Sequence, residues 1–447
     1  MENFTHNESK FEEALSITLK RKHDNKKKVK YIMRRKYRSI RTDLQDLNKR
    51  KRQKSKREKR LSNGKKVKDI IHKGHKQFAL TWGMMIGVKM SIDSQNNLRK
   101  KSLKVTDFME VSKYTIPLEI KSLSHHFKFK DYAPLAFHNL RNCWSVDKDE
   151  YINSICNPNS NFLEFMSNSK SGMYFFLSHD KKYMIKTLKR YECKFLRRIL
   201  PHYVRHMIKN PDSLINQYYG LHRVKMPHLN RKIHFVVMNN IFHTPKPIHK
   251  LYDLKGSTYK GRYVSKFETK SNGSKVCGKD LNFIGFTNDN NPGKVEEGQP
   301  VPEYRQCFKI GTSERKLAFS NQIASDSVFL AKMKIMDYSL LVGVHYRDGS
   351  QDYIPNYTSD NYEKDKTMLP LFKRDDGGFY GMDYNGTLNN EIYYIGIIDI
   401  LQQYNFMKFA ENKYKSYVGK DCSTKISALP PKKYAKRFIE FIIDSIR

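Results

Sequence analysis

The chain has 447 residues, enough for one large domain or two smaller ones, and its 38% hydrophobic and 13% aromatic content can supply a core. Its 84 Lys and Arg against 45 Asp and Glu give a formal net charge of +39. That excludes an ordinary enzyme of small neutral substrates and points to a polyanionic partner: nucleic acid, an anionic membrane or a phosphorylated ligand. Cys143, Cys156, Cys193, Cys277, Cys307 and Cys422 lack metal-type spacing and read as reduced thiols of a cytosolic or nuclear protein. No apolar run approaches the roughly 18–20 residues that span a bilayer. The first residues carry no signal-peptide pattern, so any membrane contact is expected to be peripheral.

Residues 1–69 hold 25 Lys and Arg against 9 Asp and Glu, densest at 26–28, 34–36 and 49–52. With little apolar periodicity, this segment is expected to be a disordered basic arm. A solvated tail, a nuclear-localisation signal and an electrostatic tether to anionic lipid all fit its composition. Order is expected from about Asp69. Residues 78–92, with Trp82, Met85 and Ile86, predict a helix ending near Gly87, and 126–132 an edge strand leading to a short helix through Phe137 and Leu140. Residues 173–188 predict a β-hairpin turning at 178–181, entered by a loop containing Lys170, Ser171 and Gly172 whose backbone N–H groups suit phosphate. Lys186 lies in the returning strand between Ile185 and Thr187, so it needs a partner or a surface position. The helical spacing that follows offers Glu192 as the partner.

A helical stretch is predicted near 213–219, then a strand to Val224, then a buried strand, 233–240, ending in Asn239 and Asn240. At 251–258 an Asp, a Lys, a Gly and a Ser gather at a strand end. Gly256 permits close backbone approach and Lys255 can meet a phosphate, although a plain tight turn has the same composition. Residues 265–316 read as polar loop with short strands, 320–333 as a helix, and 346–390 as a polar insert. Residues 404–431 read as a Lys-rich loop and 434–446 as an amphipathic helix. Two apolar runs each carry a single carboxylate: Asp337 within 335–345 and Asp399 within 395–401. An unpaired charge is expensive to bury, so each Asp is expected to be paired, bound to metal or placed for chemistry. Two such acids suit phosphoryl transfer.

In order, these pieces resemble the phosphatidylinositol phosphate kinases. The segments 127–132, 169–187, 236–240, 253–257, 335–341 and 396–402 match family blocks, and the likeness runs from about residue 74 to the end. The resemblance implies a mixed α+β, two-lobed kinase-like fold with antiparallel sheets, its lobes at about 70–240 and 241–447. It also implies ATP and Mg2+ as cofactors. Lys186 would contact the ATP phosphates, held by Glu192. Lys170, Ser171 and Gly172 would cover the phosphates, and Met238, Asn239 and Asn240 would lie near the interlobe nucleotide site. Asp253 and Lys255 would position phosphates, Asp337 would orient or deprotonate the inositol hydroxyl, and Asp399 would hold magnesium. No His-Arg-Asp precedes Asp337, which argues against a protein substrate.

The loop after Asp399 chooses the lipid in this family. Glu411 stands where 5-kinases of phosphatidylinositol 4-phosphate carry Glu and 4-kinases carry Ala, with Lys408 beside it, so the likeness is closest to the type I 5-kinases. Two departures stand out. Asn168-Ser169 replaces an expected glycine, and Phe409 replaces a second lysine. The implied partner is anionic membrane lipid, with a homodimer left open. The implied location is cytoplasmic, at the inner face of the plasma membrane, with the nucleus an alternative. A nucleic-acid-binding protein and a catalytically silent scaffold are the competing readings, but no recognisable RNA or DNA module accompanies the charge.

Overall fold

A computed structural model of the chain describes residues 69–71, 77–95, 102–120, 123–156, 163–166, 173–227, 230–258, 262–264, 276–285, 306–347, 378–404 and 429–447. All lie in the compact unit Lys68–Arg447. The basic arm before Asp69, the loop with Lys170, Ser171 and Gly172, insert residues 348–377 and the loop with Lys408 and Glu411 fall outside the described residues.

The first half contains β1 (Asp69–Ile70), α1 (Phe78–Asp93), α2 (Val105–Met109), β2 (Val111–Ile120), β3 (Leu123–Tyr132), α3 (Pro134–Cys143) and α4 (Lys148–Cys156). It continues with β4 (Leu163–Met166), β5 (Tyr174–Leu177), β6 (Tyr183–Leu188), α5 (Arg190–Lys209), β7 (Tyr218–Met226) and β8 (Arg231–Asn239). Its strands form one sheet in the order β1-β4-β5-β6-β8-β7-β3-β2, every neighbouring pair antiparallel. The second half contains β9 (Lys250–Leu254), β10 (Cys277–Gly278), α6 (Asp280–Phe283), α7 (Ser313–Lys332), β11 (Ser339–Tyr346), β12 (Phe379–Met382), β13 (Leu388–Ile398) and α8 (Pro431–Asp444). Its sheet runs β10-β9-β11-β13-β12, antiparallel except for the β10–β9 pair. The expected mixed α+β architecture with two largely antiparallel sheets is what the chain adopts.

The larger sheet is covered on both faces, which is why β8 reads as an unbroken apolar run. Phe235 and Val237 join one core with Leu80 and Met84 of α1 and Tyr151 of α4. Val236 and Met238 join the other with Leu196 and Leu200 of α5 and with residues of the second sheet. The period of two puts alternate residues on opposite faces. A register shift between Tyr218 and Gly220 in β7 reverses that alternation, so Tyr219 and Val224 face the first core while Tyr218 and Leu221 face the second.

Several sequence expectations need correction. α1 does not end near Gly87. It runs on to Asp93, and a Cβ at Gly87 would stand 2.0 Å from the Phe129 ring, so this glycine admits an aromatic side chain against the helix. β3 is not an edge strand, because it lies between β2 and β7. The stretch before Tyr219 is extended, not helical. Leu214 and Asn216 exchange backbone hydrogen bonds with Ile397 of β13, tying the end of the first half to the second sheet. α7 starts at Ser313, about two turns earlier than the pattern from Ser320 indicates.

The C-terminal helix buttresses the second sheet at its functional end. Tyr434, Phe438 and Ile442 are buried, with ring centroids 4.8 Å (Tyr434) and 5.0 Å (Phe438) from Tyr338, and the Tyr434 hydroxyl donates to the Tyr338 carbonyl. Each such buried side chain contributes about 1.5–3 kcal/mol relative to exposure. Tyr338 is the neighbour of Asp337, so this packing fixes the turn that carries the acid.

Candidate active site

Neither acid lies inside its strand, contrary to what the apolar runs imply. Asp337 precedes β11 by two residues and Asp399 follows β13 by one, both at positive φ, 64° and 62°. Aspartate tolerates this left-handed region better than most residues, yet it costs about 1–3 kcal/mol that the surroundings must overcome. β11 and β13 pair antiparallel with Ser339 opposite Ile398, and beyond the ladder Ile335 bridges Gln403. The start of one strand therefore adjoins the end of the other, and the two acids emerge at the same end of the sheet. Their side chains remain 32% and 52% exposed, available to a ligand.

Lys186 of β6 is 12% exposed and reaches across from the other sheet, its Nζ 2.5 Å from Asp399 Oδ1. The Phe175 ring, from the residue opposite in β5, lies 5.3 Å from the ammonium. A largely buried ammonium needs an anion, and here Asp399 supplies it. Glu192 does not hold Lys186. Its Oε2 accepts the Lys189 N–H at 2.7 Å, capping α5. Burial raises the Glu192 carboxyl above its ordinary pKa, and the Lys189 N–H and the charges of Lys186 and Lys189 draw it back only in part.

At the same end of the second sheet, the Lys255 ammonium donates to Asp337 Oδ1 at 2.7 Å and to the Asp337 carbonyl at 2.8 Å. One cation thus pins both the carboxylate and its turn. Lys255 is positioned by Asp280, a fully buried carboxylate whose Oδ1 accepts the N–H groups of Lys255, Gly256 and Ser257 at 2.8, 2.7 and 3.3 Å. Its Oδ2 lies 2.5 Å from Arg262 Nε. Gly256 has φ +68°, and a Cβ there would stand 2.9 Å from the Arg437 carbonyl in α8, so glycine is required twice over.

Asp253, one turn of the ladder back, is bound by Lys279 and by Arg262, the latter at 3.5 Å. Burial pushes its carboxyl up, but Arg262, Lys279 and Lys255 outweigh this and hold it at about 2, against an ordinary 3.8. A carboxyl depressed in the folded state stabilises the fold above its unfolded pKa, and that contribution is lost as pH falls toward the folded value. From about pH 5 to about pH 2, wild type is expected to lose about 2 kcal/mol more unfolding free energy in urea titrations than Asp253→Asn. Equal losses would show that the ion cluster is absent in solution.

Met238 is buried in the core between the sheets. The Asn239 side chain accepts the Gln217 N–H at 2.8 Å, and Asn240 donates to the Lys181 carbonyl at 2.8 Å and accepts the Phe242 N–H at 3.1 Å. These two amides brace the crossover from β8 toward the second sheet. Beside them Asp326 of α7, fully buried, accepts from Ser213 Oγ and the Leu214 N–H, both at 2.8 Å, and contacts His206 Nε2 at 2.7 Å. The sequence reading missed Asp280, Arg262, Lys279 and Asp326. The first three sit in a polar stretch without periodicity, and Asp326 sits on a helix whose pattern already looked complete. Only their unexplained charge at near-apolar neighbours, as in Asp280-Leu281-Asn282-Phe283, offers a signal.

With this geometry in hand, residues 156–445 match the family model described as phosphatidylinositol-4-phosphate 5-kinase, well over half of the chain. The chain belongs to that family. It is 33% identical to phosphatidylinositol 4-phosphate 5-kinase its3 of Schizosaccharomyces pombe, over 84% of this chain and 54% of that protein. It is 33% identical to phosphatidylinositol 4-phosphate 5-kinase 3 of Arabidopsis thaliana, over 85% and 54% respectively. The phosphatidylinositol 4-phosphate 5-kinase of Plasmodium falciparum is 31% identical over 83% of this chain and 21% of its own length. The chain thus spans about half the length of the first two relatives and less of the third. The family match takes in the Lys186 hairpin, the Asp253–Lys255 turn and both acid-bearing turns. Among the described residues, no helix is long and apolar enough to cross a membrane.

Proposed function

We propose that the chain is a lipid kinase that transfers the γ-phosphate of ATP to the 5-hydroxyl of phosphatidylinositol 4-phosphate, giving phosphatidylinositol 4,5-bisphosphate at a membrane surface. The observation that supports this reading is the contact between Lys186 of the larger sheet and Asp399 at the end of the smaller one, the same end at which Asp337 emerges. Phosphoryl transfer needs little covalent help from the protein. Positioning and charge stabilisation do most of the work.

In this reading Lys186 binds the ATP phosphates in place of its contact with Asp399. Glu192, behind it, adds negative charge near the lysine without gripping it. Lys170, Ser171 and Gly172 cover the phosphates, and Met238, Asn239 and Asn240 border the nucleotide. Asp337 orients the attacking hydroxyl or takes its proton, held in place by Lys255, while Asp253 keeps the neighbouring cations in register. Among the described residues no cluster of three or more His, Cys, Asp or Glu forms a closed metal cage. Magnesium in such sites takes one or two carboxylates and completes its shell with phosphate and water, and the half-exposed Asp399 fits that donor set. When bound, the ion would neutralise charge on the transferring phosphate.

Glu411 and Lys408 are assigned to lipid selection, and the +39 charge to residence on an anionic surface at the cytoplasmic face of the plasma membrane. The test is transfer from γ-labelled ATP, with magnesium, to vesicles containing phosphatidylinositol 4-phosphate or the 5-phosphate. Label at the 5-hydroxyl of the 4-phosphate lipid is expected. Label only on the 5-phosphate lipid would make the chain a 4-kinase, and no labelled lipid would overturn the reading.

A further inference from the structure

We propose a second anion site, for a phosphate group, in the first half of the chain between α1, α3 and α4. A cavity of about 320 Å3 lies there, its polar wall formed by Gln95, His138, Arg141, Asn142, Lys148 and Tyr151. That volume falls in the range of small-ligand pockets. Two cations and an imidazole line it, and among the described residues no carboxylate does.

Two independent features mark it as a binding site. The first is Arg141, which is buried and forms no ion pair among the described residues. Its Nη1 donates to the Tyr219 carbonyl at 2.6 Å and its Nη2 to Gln95 Oε1 at 2.6 Å. Asp131 makes no direct contact with it: Gln95 Nε2 lies between, donating to Asp131 at 3.2 Å, and Asp131 also serves His222 at 3.0 Å and Ser91. Burial lowers the guanidinium's pKa, with Tyr151, Asp131 and Tyr183 partly restoring it. A buried cation sharing one distant carboxylate is the arrangement an incoming anion relieves. The second feature is the hydroxyl of Tyr151, a residue that lines the cavity, which is fully buried and has no hydrogen-bond partner among the described residues. The Arg141 guanidinium lies 5.6 Å from the same ring. Buried hydroxyls are nearly always satisfied, so an orphan beside an undercompensated guanidinium points to an acceptor-rich ligand. Lys148, 43% exposed and only loosely paired with Asp93 at 3.9 Å, stands at the mouth and supplies a second cation.

The phosphate could be free or part of an inositol phosphate headgroup, and the experiment separates the two. Inorganic phosphate and soluble inositol 1,4-bisphosphate are titrated into the full-length chain by calorimetry, in wild type, Tyr151→Phe, Lys148→Gln and Lys255→Met. Lys255→Met removes one of the active site's two lysines, the one that holds Asp337, and leaves the second site intact. Affinity for at least one probe is expected to survive in Lys255→Met and to fall about tenfold or more in Tyr151→Phe and Lys148→Gln. The probe that shows this pattern identifies the source. Tyr151→Phe deletes only an unpartnered hydroxyl, so its melting temperature without ligand should equal or exceed wild type, which separates lost binding from lost folding. Affinities unchanged by Tyr151→Phe and Lys148→Gln, or binding of neither probe outside the active site, would overturn the proposal.

Discussion

Asp337→Asn is expected to reduce phosphoryl transfer to phosphatidylinositol 4-phosphate vesicles by about 10²–10⁴-fold, the range for losing a positioned proton acceptor, while the KM for ATP stays within about twofold. The substitution preserves shape and removes charge, so the left-handed turn and the Lys255 contact to its carbonyl can persist. The loss should therefore appear in kcat. Steady-state kinetics with varied ATP at fixed vesicle concentration measures the split. An unchanged kcat with a raised KM for ATP would move Asp337 from the acceptor hydroxyl to the nucleotide.

Asp280→Ala is expected to destabilise the fold by about 3–5 kcal/mol, the largest effect of any substitution remote from the reacting groups. It removes the carboxylate that three consecutive N–H groups and Arg262 share, leaving a mostly buried guanidinium and three donors without their acceptor. Chemical denaturation should show the loss, with activity falling in parallel because Lys255 loses its anchor. Glu440→Ala is the control: Glu440 is 57% exposed and pairs with Lys436 at 3.6 Å, an arrangement worth well under about 1 kcal/mol. Comparable losses in the two variants would mean that Asp280 is not the keystone of the 255–257 turn.

Much of the fold is legible in the chain because its signals are local. The 173–188 hairpin, the strand at 233–239 and the amphipathic C-terminal helix follow from period and turn chemistry, and they form where the pattern puts them. The lone acids in apolar runs are legible too, since an unpaired carboxylate among isoleucines demands a reason. What escaped depends on tertiary contact. Gly87 looks like a helix stop until the Phe129 ring is seen against it. Residues 213–217 adopt an extended path because Ile397 supplies backbone partners that no local pattern reveals. Lys186 and Glu192 are close in sequence and looked like a pair, yet Asp399, 213 residues away, takes the lysine while Glu192 caps its own helix.

The most direct test of the central claim, that Lys186 and Asp337 act in one site although they come from different sheets, is a double-mutant cycle on kcat. Lys186→Met, Asp337→Asn and the double variant are compared in label transfer to phosphatidylinositol 4-phosphate vesicles. Groups that act as a unit are strongly non-additive. The double variant is expected to be about as slow as the slower single one. Losses that multiply, or full activity in either single variant, would contradict the account.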